Sequence, residues 1–323
     1  MKNYTETRIP RKIFFLLIFI CLRIHAGAQG VQDAQVRYAL IPEEPMPGEP
    51  LTIAINADSN IKSAVLYASG GKRLAKAAFF ALPPEPCKPS VMAAVLAVPS
   101  TADAGGAYIS IEFASGPDRE IPLVIKERQF KAEVIDLNAA LTGIRTDPDP
   151  QKTAESEQLW AILNRTGTEI YSAGAFTPPV TSTRRTSFFG DRRVYKYSTG
   201  KTDTSIHAGV DYGVPAGTPV AACAAGKVVL ARPRIVTGNS VVLEHAPGVY
   251  SLYYHLNTIA VTEGAMVQAG TVLGESGATG LATGPHLHWE IRVSGENADP
   301  DAFIQRPILD KKAIFAKITN TCY

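Results

Sequence analysis

The chain has 323 residues, 46% of them hydrophobic, with a formal net charge of +2. That length accommodates two domains and a linker, and that apolar content excludes a globally disordered chain. The near-balanced charge excludes an extended basic surface, so no nucleic-acid partner is expected.

Residues 1–28 read as a secretory signal. Lys2, Arg8, Arg11 and Lys12 give a basic start, and Ile13 to Leu22 is an apolar run too short to span a bilayer comfortably. Ala26-Gly27-Ala28 supplies the small residues of a cleavage site, so the mature chain is expected to begin at Gln29. An uncleaved anchor is the alternative. The bulky Ile20 before Cys21 argues against a lipoprotein. The segment carries five of the 32 Lys+Arg and one of the 30 Asp+Glu, leaving 27 against 29, a net charge of −2. The expectation is an exported protein of the periplasm, cell envelope or extracellular space, with no stable membrane span after processing.

Residues 29–126 contain short alternating apolar runs such as Leu51-Thr-Ile-Ala-Ile55 and Tyr108-Ile-Ser-Ile-Glu-Phe113, separated by Pro, Gly and Asp. Strands at near-regular spacing predict an immunoglobulin-like β-sandwich. Nothing in it looks catalytic, which fits a spacer or a docking domain for an envelope protein partner. Residues 127–180 read as a connector with one short helix, capped by Asp149-Pro150 and running over Lys152 to Leu163. Residues 181–306 form a second, antiparallel β unit with an open groove. Its apolar runs include Lys227-Val-Val-Leu-Ala231, Ser240-Val-Val-Leu-Glu244 and Tyr250-Ser-Leu-Tyr-Tyr254, with frequent glycines between runs. Residues 307–323 read as a C-terminal tail. The fold class is therefore mainly β.

Four of the six histidines fall in three short motifs of the second unit: His207-Ala-Gly-Val-Asp211, Tyr254-His255-Leu256 and Pro285-His286-Leu287-His288. On a strand, His286 and His288 face the same way. With His207 and Asp211 they offer two or three nitrogens and a carboxylate oxygen, the ligand set of an open catalytic zinc site. By the same period of two, Tyr253 shares a face with His255 and is a candidate donor to a developing oxyanion. His245, at the mouth of a turn, reads as structural or surface, and His25 lies in the signal. Glu290 shares the strand face of His288, but a solvated strand-end role is the simpler expectation.

Gly274-Glu-Ser-Gly-Ala-Thr-Gly280 lacks the lysine and the following helix of a phosphate loop, and reads as a tight turn beside the groove. The pairs Arg184-Arg185 and Arg192-Arg193 read as solvated. Cys87, Cys223 and Cys322 are too few and too widely spaced for a disulfide framework. Cys223 reads as a small buried residue, and a Cys87–Cys322 bridge is compatible with an exported protein.

In order along the chain, Arg185-Thr-Ser-Phe-Phe-Gly190, His207-Ala-Gly-Val-Asp211, Gly217-Thr-Pro-Val220, Leu252-Tyr-Tyr-His-Leu256 and Thr283-Gly-Pro-His-Leu-His-Trp-Glu290 resemble the lysostaphin-type (LytM-like) zinc metallopeptidases, peptidase family M twenty-three. The resemblance covers residues 185–304 and leaves the upstream sandwich outside. It implies one Zn²⁺ per chain on His207, Asp211 and His288, with His255 and His286 flanking a water as base and transition-state stabiliser, in an order left open. It implies an endopeptidase acting on amide bonds in peptidoglycan peptides. D-Ala to diaminoacyl cross-links are the first candidate and glycyl bonds the second. Three other readings stand beside it. The chain is a non-catalytic regulator activating a cell-wall amidase, or it mainly binds through the sandwich, or the connector covers the groove with Asn138 or Asn164 in the place of water.

Overall fold

A computed structural model describes residues 37–56, 60–165 and 167–319. The predicted signal segment and Cys322, with its proposed bridge to Cys87, lie outside these residues. Among the described residues no helix is long and apolar enough to cross a membrane.

The N-terminal strands are β1 (Tyr38–Ile41), β2 (Pro50–Ile55), β3 (Ile61–Ala68), β4 (Arg73–Ala78), β5 (Phe80–Ala81), β6 (Met92–Ala97), β7 (Gly105–Phe113) and β8 (Arg119–Ile125). They form two four-stranded antiparallel sheets, ordered β1-β2-β6-β5 and β4-β3-β7-β8. Strand alternation builds the core between them. Leu51, Ile53 and Ile55 of β2 meet Ile109 and Ile111 of β7 and Ile121, Leu123 and Ile125 of β8. The other face of the first sheet is also buried. Ala54, Ala93, Val95 and Ala97 join one cluster with Val210, Val249, Trp289 and Val293 of the C-terminal unit.

The predicted connector holds more order than one helix. β9 (Ala132–Asp136) is followed by α1 (Ala139–Thr146) and α2 (Pro150–Leu163). Asp149 caps α2 as its sequence predicts, and Ile162 and Leu163 pack on Leu230, Val242 and Leu252. The local pattern of α1 gave no comparable signal. Asn138 is its N-cap, accepting from the Leu141 N–H at 2.9 Å, and Asn164 is the C-cap of α2, donating to Trp160 O. Neither side chain is among those lining the hollow beside Asp211 and His286, where the sequence expects one of them in the place of a water.

The C-terminal unit comprises β10 (Arg185–Ser187), β11 (Arg192–Lys196), β12 (Thr202–Ile206), β13 (Gly209–Tyr212), β14 (Pro219–Ala221), β15 (Gly226–Arg234), β16 (Gly238–Ala246), β17 (Val249–Ile259), β18 (Met266–Val267), β19 (Val272–Ser276), β20 (Leu287–Val293) and β21 (Glu296–Ala298). The main sheet runs β10-β13-β20-β17-β16-β15-β18, with β14, β19 and β21 added at its sides. A small sheet ordered β12-β11-β9 stands beside it, and β9 pairs with β11 in parallel. The helices α3 (Pro300–Gln305) and α4 (Lys311–Ile318) close the chain. Within the expected C-terminal tail, Ile314, Phe315 and Ile318 of α4 are buried in the shared core.

Candidate metal centre

Three adjacent antiparallel strands set the site. Asp211 of β13 lies opposite His288 of β20, which lies opposite Tyr254 of β17. Cross-strand partners point to one face, so these three side chains share it. His207 enters from just before β13, its backbone N–H donating to Asp191 O at 2.9 Å.

The result is a small triangle of ligand atoms. His207 Nε2 is 3.1 Å from Asp211 Oδ1 and 3.0 Å from His288 Nδ1, and His288 Nδ1 is 2.8 Å from the same oxygen. All three residues are buried. Ligand bonds of about 2.0–2.2 Å put the edges of a tetrahedral zinc site at about 3.3–3.6 Å, slightly longer than these separations. Two imidazole nitrogens and one carboxylate oxygen at this spacing fit Zn²⁺, with a position left for water.

The outer contacts hold each ligand in the form a metal needs. His207 donates its Nδ1–H to Phe188 O at 2.8 Å, leaving Nε2 with its lone pair. His288 presents Nδ1 to the site and its Nε2 lies 3.4 Å from Glu290 Oε2. Glu290 is therefore not a solvated strand end. It is 3% exposed, and Arg292 neutralises its other oxygen. Asp211 divides its oxygens: Oδ1 faces the two histidines, and Oδ2 accepts from Arg193 Nη2 at 2.7 Å. Arg193 is held in turn by Glu133 of β9 and by Ser187 Oγ. The connector thus supplies a residue behind the triangle.

The electrostatics follow. Burial raises the Asp211 carboxyl, but hydrogen bonds from His207 and His288 outweigh it and hold the group well below the usual carboxylate range. Burial lowers His288, while Asp211 and Glu290 raise it more, to about 9. Burial lowers His207. A site that attracts positive charge this strongly suits a dication.

His255 and His286 stand beside the triangle, with ring centroids 4.8 Å apart. His286 Nε2 is 3.9 Å from Asp211 Oδ1, and His255 lies 6.2 Å, centroid to centroid, from His288. Each donates its Nδ1–H to a backbone carbonyl at 2.8 Å, His255 to Thr279 and His286 to Gly284, which leaves both Nε2 atoms free. Burial and the neighbouring His286 and His288 push His255 down to about 3, so its ring is neutral at pH 7.

Tyr253 is not in the groove. It is 0% exposed, and its hydroxyl accepts from Cys223 N at 2.9 Å in the core. His255 has φ of +62° at an irregularity in the β16–β17 pairing, and this left-handed residue breaks the alternation that would put it on the face of Tyr253. Tyr254 takes the place beside the triangle, stacked on His288 with centroids 5.5 Å apart and 6° between planes. The expected Gly274–Gly280 turn is instead partly strand, since Gly274–Ser276 belong to β19, and the Thr279 carbonyl beyond it anchors His255. Gly238, at φ +63°, lets that carbonyl approach: a Cβ there would sit 2.4 Å from Thr279 O.

His245 is structural, as one of its expected roles had it. It is fully buried, bonded to Ala225 O and to Ser251 Oγ, with Cys223 Sγ 3.7 Å away. Burial lowers its pKa to about 4.

Residues 205–300 match the sequence model of Peptidase family M23, so this part of the chain is a peptidase M23 domain. Over 135 residues the chain is 39% identical to the DD-carboxypeptidase/endopeptidase Mpg of Neisseria meningitidis serogroup B, a match covering 42% of this chain and 30% of that protein. Over 173 residues it is 32% identical to the peptidoglycan DD-endopeptidase ShyA of Vibrio cholerae, covering 53% and 40%. The chain spans less than half the length of these curated relatives. A crystal structure described as a peptidase M23 of Pseudomonas aeruginosa is similar with a TM-score of 0.55 and 26% identity, over 80% of this chain and 94% of that one.

Proposed function

We propose that the chain is a zinc-dependent endopeptidase that hydrolyses amide bonds in the stem peptides or cross-links of peptidoglycan. The observation that carries this reading is the convergence of His207 Nε2, Asp211 Oδ1 and His288 Nδ1 with two further imidazoles beside them. Zn²⁺ bound there would lower the pKa of a water toward neutrality and polarise a carbonyl. His207, Asp211 and His288 hold the ion. His255 and His286, each with Nδ1 tied to a carbonyl, present Nε2 to the groove. One takes the proton of the attacking water and passes it to the leaving amine, and the other steadies the charge that develops on the carbonyl oxygen. Tyr254 fixes the plane of the His288 ring.

The relatives' names support the substrate, with D-Ala to diaminoacyl cross-links ahead of glycyl bonds. An exported protein, acting in the periplasm or at the envelope, fits that substrate. The strand orders of the N-terminal sheets support reading 29–126 as an immunoglobulin-like sandwich. Its outer sheet remains available to an envelope protein. The intact ligand triangle favours an enzyme over a non-catalytic amidase activator. Zinc content and hydrolysis of purified peptidoglycan test the choice. An activator would leave cross-links intact when zinc-loaded, and the enzyme would cut them.

A further inference from the structure

Of the four arginines in the pairs Arg184-Arg185 and Arg192-Arg193, three have partners. Arg185 Nη2 donates to Asp301 Oδ1 at 2.7 Å, and its guanidinium lies 3.8 Å from the Tyr212 ring centroid. Arg192 donates to Ser100 O at 2.7 Å and Gly190 O at 3.0 Å. Arg193 is held by Asp211, Glu133 and Ser187. These three are therefore not the solvated residues their sequence predicts. Arg184 is exposed, and among the described residues its guanidinium has no acceptor.

Arg184 is nonetheless placed. Its carbonyl accepts from Gly213 N at 3.0 Å, and its own N–H donates to Ser182 Oγ at 3.2 Å. The guanidinium rests over the Cα of Gly213, where a Cβ would come within 2.2 Å of Nη1. Gly213 directly follows Tyr212, the last residue of β13, so the cation lies near the end of the strand that carries Asp211. Arg184, Thr186, Asp211, Thr283 and His286 line one hollow of about 310 Å³. The acids on its wall, Glu133 and Asp211, are both paired with Arg193. Arg184 is the cation on that wall left without an acceptor among the described residues.

We propose that Arg184 binds a free carboxylate that the substrate carries close to the scissile amide. This rests on the endopeptidase reading and narrows it. A diaminoacyl cross-link can carry a carboxylate on the carbon bonded to the amide nitrogen, whereas a bond inside a glycyl bridge has none there. A planar guanidinium matches a carboxylate by two parallel hydrogen bonds, which a neutral amide does not reproduce.

The test uses the full zinc-loaded chain and two synthetic cross-linked peptides that differ only in a free carboxylate or a primary amide on the diaminoacyl residue. For the wild type, amidation should raise KM about tenfold and move kcat far less. Arg184→Gln should cleave both peptides with the same raised KM. Gly213→Ala, which displaces the guanidinium and keeps its charge, should lose part of the preference. Equal wild-type KM values, or a preference retained in Arg184→Gln, would overturn the assignment alone. Failure of the wild type on both peptides and on purified peptidoglycan would overturn the endopeptidase reading and this assignment with it.

Discussion

Each histidine ring in the groove spends one nitrogen on holding itself and keeps the other for chemistry. This division predicts two classes of variant. His207→Ala and His288→Ala should lose bound zinc, from near one ion per chain to near none. His255→Ala and His286→Ala should keep zinc and lose turnover by at least about a hundredfold. Metal analysis beside a peptide assay separates the classes, and zinc loss in the second would contradict it. Arg193→Gln, which frees Asp211 Oδ2, should weaken zinc binding about 10- to 100-fold in competition with a chelator. His245 makes a different prediction. Its folded pKa of about 4 lies below the unfolded value near 6.5, so the folded state binds fewer protons between them. Its contribution to stability is complete above about pH 6.5 and falls as the pH drops toward 4. Ring-nitrogen NMR should find His245 neutral at pH 5.5, and a protonated ring there would contradict the burial argument.

Strand alternation made much of the site legible. It puts His286 and His288 on one side from sequence alone, and the His-x-x-x-Asp spacing delivers its ligands from a strand and the loop before it. The same rule misplaces Tyr253, because nothing in Tyr-Tyr-His announces a left-handed residue at 255. The contribution of β9 was illegible for another reason. Its pairing with β11 joins residues about 60 apart in sequence, and Glu133 gains its meaning only from the Arg193 it meets. Glu290 read as solvated because burial by neighbouring elements leaves no mark on a local pattern. The Thr279 carbonyl that anchors His255 is testable at this scale. Gly238→Ala should push Thr279 O away, lowering kcat with zinc retained and costing about 1 kcal/mol or more in stability. Unchanged kcat would show that His255 does not depend on that carbonyl.

The sandwich and the peptidase unit share one buried cluster, and α4 returns to seal it against β1. The boundaries in the sequence are therefore not boundaries in the core. Heating the full chain should give one cooperative transition, and two well-separated transitions would contradict the shared core. Removing residues 29–180 would bare the apolar face that meets Ala54, Ala93 and Val95 and would take away Glu133. The truncated chain should be poorly soluble and hold zinc weakly, not be released into higher activity. Zinc-dependent hydrolysis of an amide is expected at the His207–Asp211–His288 centre. Its most direct test is mass analysis of peptidoglycan fragments after digestion by the zinc-loaded wild type and by Asp211→Ala of matched circular dichroism. The wild type should release peptides with new amine and carboxylate ends, and the variant none. Intact peptide cross-links after wild-type digestion, or equal cleavage by Asp211→Ala, would contradict it.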